Sequence, residues 1–383
     1  MRNWFFVIGC TICLSACFSS RHIAKNEDEI SISSLRVLGE YDLPGAMQLK
    51  NSTIGGLSSI DYDKTNDIYY LISDDPSAYG PARYYTAKIY LTEKGIDSVK
   101  ILDMVPLLDT IGREYPDIRK DRYHSLDAES MRYNPVQDEL VYGSEGQRAK
   151  NNDGILQVQN PVIIAANRNG SFKDSFALPP NMHMYLTENG LRHNSVFEGL
   201  TFNNTYTSMF VSVEEPIYED GPRAATGDST AWIRILKFDT KTRKQIAQYA
   251  YKIDAVPYLP DPPSAFKING VSDILYIGND KFIVTERAYI TGRIPSYVRF
   301  YLADISGASD ISAVNSLIAQ PPSQPVSKKL LLNLETLGRH IDNIEGLSLG
   351  PLLPNGHRTL IAVADNNFSD KQRSQFWLFE VIP

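Results

Sequence analysis

The stretch that decides the fold is Glu198-Gly199-Leu200-Thr201-Phe202, which opens a short strand, a tight turn and a second strand ending at Glu214. The same unit occurs five times, and its openings lie 74, 69, 71 and 76 residues apart. The openings and the acidic residues that close the second strands are Gly55 and Asp74, Glu129 and Glu145, Glu198 and Glu214, Asn269 and Glu286, and Glu345 and Asp365. A fixed period of this length indicates a repeat architecture.

Each unit reads as four strands, and four-stranded sheets repeated radially form a β-propeller. In the second unit, Asn134-Pro135 and Asn169-Gly170 mark the turns of two hairpins. The fifth unit has only three strands, and the lone strand Leu35–Leu43 can complete it, which would close the ring and protect an open edge. We therefore expect an all-β propeller of five four-stranded blades. A sixth blade is the alternative if one of three long connections hides another sheet: 106–126, 179–197 or 305–327.

The bulk composition fits a folded domain with many strands. The chain has 383 residues, of which 43% are hydrophobic and 22% charged, and its 22 Tyr and 15 Phe favour β-structure. The formal charge of −7 disfavours nucleic acid as a partner, because no basic field would release counterions from phosphates. We expect a monomer.

The start of the chain predicts export. Met1-Arg2-Asn3 is followed by an apolar run, 4–14, that is too short to span a bilayer but suits a secretory signal. Leu14-Ser15-Ala16-Cys17 resembles the lipobox of bacterial lipoproteins, so Cys17 is the expected lipidation site and first mature residue. Phe18 after that cysteine favours the outer membrane of a bacterial envelope. An ordinary cleaved signal is the alternative. The predicted organisation is a signal peptide, 1–16, a lipidated cysteine and tether, 17–33, and the propeller, 34–383.

The acidic residues predict a cation site. In a propeller the start of the first strand and the end of the second strand lie on one face, so eight carboxylates should meet at one mouth. They are Asp74, Glu129, Glu145, Glu198, Glu214, Glu286, Glu345 and Asp365. Such a group is tolerated if water, arginine or a hard cation neutralises it. Calcium, which takes six to eight oxygen ligands, is the expected ion. The alternative is that these acids cap turns or pair with nearby arginines.

Histidines and arginines accompany these acids. His124, His193 and His340 each lie five residues before a glutamate of the set. Imidazole beside a carboxylate can move protons near neutral pH. The alternative is a structural role, in which each histidine packs under its loop. Arginines follow the second strands at Arg83, Arg148, Arg223, Arg287 and Arg373. Of these, Arg83 and Arg287 are expected to bind an anionic substrate through their fork of donors.

At these segments the chain resembles the phytase-like family, often labelled "esterase-like activity of phytase". The segments that carry the likeness are Gly55-Gly56-Leu57-Ser58, Ser73-Asp74-Asp75, Ala82-Arg83-Tyr84-Tyr85, Leu126-Asp127-Ala128-Glu129-Ser130, Gly143-Ser144-Glu145-Gly146, Asn194-Ser195-Val196-Phe197-Glu198-Gly199-Leu200, Gly270-Val271-Ser272-Asp273, Thr285-Glu286-Arg287, Asn343-Ile344-Glu345-Gly346-Leu347 and Ala364-Asp365-Asn366-Asn367. The resemblance implies a secreted or periplasmic β-propeller and calcium-assisted hydrolysis of phosphoesters or esters. The denser aspartate cluster of the alkaline phytases is reduced here to the fragment Asp74-Asp75-Pro76.

Two functional hypotheses follow. The first is a metal-dependent hydrolase in which the acids hold the cation, the histidines move protons and the arginines bind a small anionic or ester substrate. The second is a non-catalytic, membrane-anchored propeller that binds a ligand or a protein at the same mouth. The sequence contains no Gly-x-Ser-x-Gly or His-Glu-x-x-His motif, and an acyl-enzyme mechanism has no specific support.

Overall fold

The computed structural model describes residue 1 and residues 30–383, except 46, 93, 152–153, 228–229 and 294–295. The predicted signal peptide, the lipidation site at Cys17 and most of the predicted tether lie outside the described residues. Within the described part of the chain, no helix is long and apolar enough to cross a membrane.

The domain is a propeller of five antiparallel four-stranded sheets, as the repeat predicts. We number the blades 1 to 5 in chain order and the strands of each blade from the channel outward. Blade 1 consists of Leu57–Asp63, Ile68–Ser73, Arg83–Thr92 and Gly95–Pro106. Blade 2 consists of Asp127–Asn134, Glu139–Glu145, Val162–Ala166 and Phe172–Ser175. Blade 3 consists of Phe197–Phe202, Ser208–Val213, Trp232–Asp239 and Lys244–Lys252. Blade 4 consists of Lys267–Gly278, Lys281–Ile290, Tyr297–Asp304 and Ser327–Asn333. Blade 5 consists of Asn343–Leu352, Arg358–Asp365, Gln375–Ile382 and Ser34–Asp42.

Smaller elements decorate the connections. Two short hairpins pair Gln48–Leu49 with Ser52–Thr53 and Gln147–Lys150 with Leu156–Gln159. Three 3-10 turns span Pro180–Met182, Tyr218–Asp220 and Leu334–Leu337. The three long connections, all within the described residues, contain no additional blade, so the alternative of six blades is wrong.

The first and last parts of the domain close the ring. Ser34–Asp42 is the outermost strand of blade 5 and pairs antiparallel with Gln375–Ile382. The first strands of neighbouring blades contact one another around the whole circle, including blade 5 against blade 1. The predicted closure by an N-terminal strand is therefore confirmed. It removes a pair of open sheet edges that would otherwise invite association.

Each first strand carries a β-bulge at the same place. The extra residues are Ser58, Glu129, Glu198, Ser272 and Glu345. They lie 71, 69, 74 and 73 residues apart, a more regular spacing than the openings read from the sequence. The structural equivalents of the three glutamates in blades 1 and 4 are thus serines, not Gly55 and Asn269. A bulge re-aims one side chain out of the pleat, and such features recur beside functional sites.

The core lies between the blades. Tyr70 and Tyr84 of blade 1 pack with Met131 and Tyr142 of blade 2, and similar clusters fill the other gaps. These side chains are almost fully buried. Burying apolar area at about 25 cal/mol per Å² makes each gap a main source of stability. Neighbouring blades therefore fix each other's first strands around the channel.

An ion pair crosses the channel at mid-depth. Nη2 of Arg132, in blade 2, donates to Oδ2 of Asp273, in blade 4, over 2.8 Å. Because these blades are not neighbours, the pair spans the axis. Nη1 of Arg132 also donates to Ser59 Oγ over 2.8 Å, and Asp273 Oδ2 accepts from the Leu347 N–H over 2.7 Å. Both charges are buried and joined to four blades, so the channel is closed at this level.

Candidate functional site: an acidic mouth

One end of the channel is built from two repeated positions. The first position is the bulge residue itself. The second position lies near the end of the second strand. It is directly across the strand pair from the residue two positions before the bulge. The second position holds Asp74, Glu145, Glu214, Arg287 and Asp365. The structure thus brings seven of the eight predicted acids to one end of the channel. In blade 4 it places Arg287 where an acid was expected.

Glu286 does not join them. Its register partner is Val271, the residue directly before the bulge, so its side chain faces away from the channel side occupied by Arg287. Glu286 Oε1 lies 2.5 Å from Lys328 Nζ and accepts from Tyr251 Oη over 2.8 Å. The predicted place of Glu286 at the mouth is therefore wrong. Its carboxylate belongs to a buried network of blade 4.

Asp127 completes the acidic group, and sequence reasoning missed it. Oxygen atoms of Asp127, Glu129 and Glu145 all lie within 4.8 Å of one another, as do those of Asp74, Glu129 and Glu345. Glu129 belongs to both triads. Asp127 lies two residues before Glu129 on the same strand, and this spacing could have suggested a shared face despite the intervening bulge. We call the eight carboxylates the acidic mouth: Asp74, Asp127, Glu129, Glu145, Glu198, Glu214, Glu345 and Asp365.

The acidic mouth holds its protons tightly. Burial, and then the charge of neighbouring carboxylates, raises the pKa of Asp74, Glu129, Glu145 and Glu198 well above the ordinary range. Burial also raises the pKa of Glu345 to about 8. The pKa values of Asp127 and Glu214 rise to about 7, and that of Asp365 to about 6, with burial again the first cause. A site with these values binds protons near neutral pH unless a cation replaces them.

Arg287 supplies positive charge inside the acidic mouth. Its Nη2 lies 3.2 Å from Glu214 Oε1 and 3.5 Å from Glu345 Oε1, and its Nη1 donates to Asn343 Oδ1 over 2.5 Å. Among the described residues it is the one basic side chain that forms ion pairs with these eight acids. Asn343 donates to Glu345 Oε1 over 2.7 Å. Glu345 Oε2 is buried and has no hydrogen-bond partner within the described residues.

The local sequence explains how carboxylates crowd here. At Gly56, where φ is +62°, a Cβ atom would lie 2.1 Å from Asp74 Oδ1. At Gly270 a Cβ atom would lie 2.6 Å from Glu214 Cγ. Only glycine leaves this room. Ser58, the bulge residue of blade 1, donates to Glu129 Oε2 over 3.0 Å and also contacts the Glu129 main-chain oxygen. Glycine and serine therefore position the neighbouring acids.

The three histidines go to different surroundings. His193 is part-buried at the edge of the acidic mouth, where it hydrogen bonds to the backbone of Gly146, the residue after Glu145. Burial, and then the charge of Arg122, lowers the pKa of His193, so its imidazole is neutral at pH 7. The His193 Nδ1 atom has no partner in the described structure. His124 is exposed and pairs with Asp121 at 2.8 Å.

His340 also pairs with an acid of its own loop, Asp342, at 3.2 Å. The shared five-residue offset in the sequence therefore does not produce a shared geometry. Of the three predicted histidines, the structure places His193 against a strand end that carries a carboxylate of the acidic mouth.

The predicted arginines are mostly engaged elsewhere. Arg83 is fully buried, with Nη1 2.6 Å from Asp75 Oδ2, Nε donating to Tyr85 Oη over 2.5 Å and Nη2 donating to the Thr53 carbonyl over 2.8 Å. The expectation that Arg83 binds substrate at the mouth is thus wrong, because its donors are used and no surface is exposed. The other arginines that follow second strands are paired as follows: Arg148 with Tyr218, Arg223 with Glu215 and Arg373 with Asp42.

Arg122 is a cation that sequence reasoning did not select. It is exposed, and its charge influences both Asp127 and His193. Its guanidinium has no hydrogen bond or ion pair with any described residue. Only its position two residues before His124 hinted at it in the sequence. It offers an anion-binding group beside the acidic mouth.

The fold and the site define a five-bladed propeller with a carboxylate-rich mouth at one end of a closed channel. The sequence matches the family described as Phytase-like, esterase-like activity of phytase, over residues 52–368. Because this match covers most of the chain, the protein belongs to the phytase-like family. The resemblance read from the repeated segments is confirmed.

Other comparisons support no finer statement. No curated protein matches the sequence. Among solved structures, an endo-arabinase from Bacteroides thetaiotaomicron is 11% identical with a TM-score of 0.43, covering 87% of this chain and 96% of its own. The Pseudomonas aeruginosa periplasmic gluconolactonase PpgL is 9% identical with a TM-score of 0.33, covering 92% and 97%. A putative 6-phosphogluconolactonase from Bacteroides uniformis is 14% identical with a TM-score of 0.31, covering 82% and 80%. Likeness at this level carries no argument about activity.

Proposed function

We propose that this protein is a cation-dependent hydrolase, with calcium as the preferred ion, that cleaves phosphoester or ester bonds at the acidic mouth. The observation that carries the proposal is the imbalance of charge. The eight carboxylates face one internal arginine, and the buried Glu345 Oε2 has no partner among the described residues. Five of the eight residues are almost fully buried: Glu145, Glu198, Glu214, Glu345 and Asp365. Buried carboxylates are otherwise paired, hydrogen-bonded or bound to a metal.

The donor set fits a hard cation. All the side chains of the two close triads offer oxygen, and neither histidine nor cysteine belongs to them. Calcium accepts six to eight oxygen ligands in flexible geometry, whereas zinc prefers nitrogen and sulfur in a closed tetrahedron. Glu129, which belongs to both triads, would hold the ion together with Asp74, Asp127, Glu145 and Glu345.

A bound cation would polarise a phosphoryl or carbonyl oxygen and lower the pKa of a water molecule. The other roles fall to the chain itself. Neutral His193, at the strand end that carries Glu145, would accept the proton of the attacking water. Arg122 would bind the anionic part of the substrate, in place of the buried Arg83. Arg287 would partly offset the rise that burial causes in the pKa of Glu214 and Glu345, because a nearby cation lowers a carboxyl pKa.

We further propose that Cys17 anchors the protein by lipid in the bacterial envelope, with the outer membrane favoured. The chain enters the propeller at Ile30, whose N–H donates to the Ile277 carbonyl over 3.0 Å, at the end of the first strand of blade 4. That strand starts at the acidic mouth and ends on the opposite face.

The proposal is tested by cation content and turnover. Purified protein is analysed for bound metal and then assayed with aryl phosphates, aryl esters and lactones, before and after chelation. We expect bound calcium, and hydrolysis that chelation abolishes and calcium restores. Glu129→Gln should remove both properties and His193→Ala should remove turnover alone, while the exposed Glu114→Gln serves as the matched control.

Two results would count against the hydrolase. Cation binding without any turnover would favour the alternative, a non-catalytic propeller that binds a ligand or protein at this mouth. Absence of both cation binding and turnover, with Glu129→Gln unchanged in stability, would overturn the proposal itself.

A further inference from the structure

A second concave site lies at the opposite end of the channel. It is a cavity of about 460 Å³, which falls within the range of small-molecule sites of roughly 300–1,000 Å³. It is formed where the first strands end and turn into the second strands. The buried Arg132–Asp273 pair closes the channel between this cavity and the acidic mouth.

Aromatic side chains at one repeat position form part of the cavity wall. The residue four positions after each bulge is aromatic in the first four blades, and all four line the cavity: Tyr62, Tyr133, Phe202 and Tyr276. Two of these rings pack on another aromatic ring. Tyr62 stacks on Tyr69 with ring centroids 4.6 Å apart, and Tyr276 stacks on Phe210 with ring centroids 5.8 Å apart. Rigid flat rings around an opening suit the face of a cyclic ligand.

Several charged side chains of the same cavity form no ion pair with the described residues. Arg358 is part-buried and lines the cavity, and its guanidinium forms no hydrogen bond or ion pair with the described residues. Asp61 also lines the cavity, as Arg132 does, and its carboxylate accepts a hydrogen bond from the Tyr133 N–H over 2.8 Å. Lys64 is exposed at the rim and is likewise unpaired in the part of the chain that is described. Asp63 also lines the cavity, but its oxygens accept from the Thr65 and Asn66 N–H groups and from Asn66 Nδ2. The guanidinium of Arg358 is therefore the group that favours a carboxylate on the ligand.

We propose that this cavity binds a small cyclic carboxylate, an acidic sugar or an aromatic acid, with its ring against the tyrosines and its carboxylate on Arg358. The guanidinium fork matches a carboxylate in a bidentate geometry. Asp61 accepts a hydrogen bond from a hydroxyl of the ligand, which distinguishes an acidic sugar from a plain aromatic acid. This site is independent of hydrolysis at the acidic mouth.

The test uses two acids and their neutral counterparts. Glucuronate, glucose, benzoate and benzyl alcohol are titrated into the purified protein, and binding is measured by calorimetry. We expect one of the acids to bind and its neutral counterpart to bind at least about ten-fold more weakly, equivalent to about 1.4 kcal/mol. Glucuronate binding alone would identify an acidic sugar, and benzoate binding alone would identify an aromatic acid.

Variants locate the binding. Arg358→Gln should weaken the acid at least about ten-fold, whereas the exposed Arg113→Gln and the acidic-mouth variant Glu198→Gln should not change it. Tyr276→Ala should weaken both acid and neutral ligand. The proposal is overturned if none of the four compounds binds at millimolar concentration, or if Arg358→Gln binds the acid as tightly as the parent protein.

Discussion

Two groups of charges lie at neighbouring levels of the central channel, and they are built in opposite ways. Arg132 and Asp273 form a one-to-one pair whose hydrogen bonds reach four blades. The acidic mouth, three residues earlier on the strand of blade 2 at Glu129, sets eight carboxylates against Arg287. The first group is neutral by itself and holds the blades together. The second is neutral only with bound protons or cations, so its chemistry depends on the solution.

Breaking the paired group should produce the largest loss of stability. Arg132→Met leaves Asp273 as an uncompensated buried charge, and removing one partner of such a pair costs about 3–5 kcal/mol. The free energy of unfolding in denaturant measures this loss. The double variant Arg132→Met with Asp273→Asn should recover part of it, because no unpaired charge remains.

The exposed Arg113→Gln is the control, since Arg113 pairs with the nearby Asp109 at the surface. A loss below about 1 kcal/mol in Arg132→Met, which is typical of a surface pair, would contradict the structural role.

Neutralising one acid of the mouth should act with the opposite sign on the cation-free protein. Glu129→Gln removes a charge that its neighbours repel, so stability in chelator should stay unchanged or increase. The same change removes a ligand common to both triads, and calcium affinity should fall on the order of 100-fold, since even changes outside the ligand shell cost 10–100-fold. Calorimetric calcium titration and thermal unfolding in chelator check the two parts.

Glu286→Gln is the matched control for this prediction, because Glu286 is buried beside Lys328 away from the acidic mouth. It should lower stability and leave calcium affinity unchanged. If Glu129→Gln and Glu286→Gln behave alike, the distinction between a paired and an unpaired group fails.

The sequence predicted the fold better than the site, and particular residues show why. The repeat period and the lone strand at 35–43 were sufficient for five blades and their closure. The blade 4 opening was misaligned because Gly270-Val271 resembles Gly199-Leu200, while the bulge that defines equivalence is at Ser272. Strand register decides which side chain reaches the mouth: Arg287 pairs with Gly270, two residues before the bulge, whereas Glu286 pairs with Val271.

Side-chain pairing was beyond sequence reasoning. The sequence predicts the same role for Arg83 and Arg287, yet one is paired with Asp75 inside blade 1 and the other reaches the acidic mouth. Their partners come from loops and blades that are distant in the chain. The Arg132–Asp273 pair joins residues 141 positions apart, and no local pattern marks it.

Solution pH should change the stability of the cation-free protein in a direction that the acidic mouth dictates. In the unfolded chain a glutamate ionises near pH 4.5, whereas in the folded protein the pKa of Glu345 is about 8 and that of Asp365 about 6, raised first by burial. At pH values between 4.5 and the pKa values of the folded protein, the unfolded chain has released protons that the folded protein still binds. Stability in chelator should therefore fall as pH rises from about 4.5 to 8, and calcium should raise the melting temperature by about 5 °C or more at pH 8 but little at pH 5.

Thermal unfolding at both pH values, with chelator and with calcium, measures this change. A cation-free protein that is more stable at pH 8 than at pH 5 would show that the acids are compensated from within the protein.

The smallest effect is expected from Arg287, the internal cation. Arg287→Gln removes ion pairs to Glu214 and Glu345 and a hydrogen bond to Asn343, and hydrogen bonds to charged groups contribute about 1.5–3 kcal/mol. The cation-free protein keeps part of this energy by protonating the two acids, so the melting temperature in chelator should drop only about 2–4 °C. The calcium-induced increase should become larger than in the parent protein, because more negative charge is left for the ion to neutralise. If Arg287→Gln instead reduces the calcium-induced increase in melting temperature, the arginine positions the calcium ligands rather than competing with the cation. The acidic mouth would then resemble the Arg132–Asp273 pair more than its excess of carboxylates indicates.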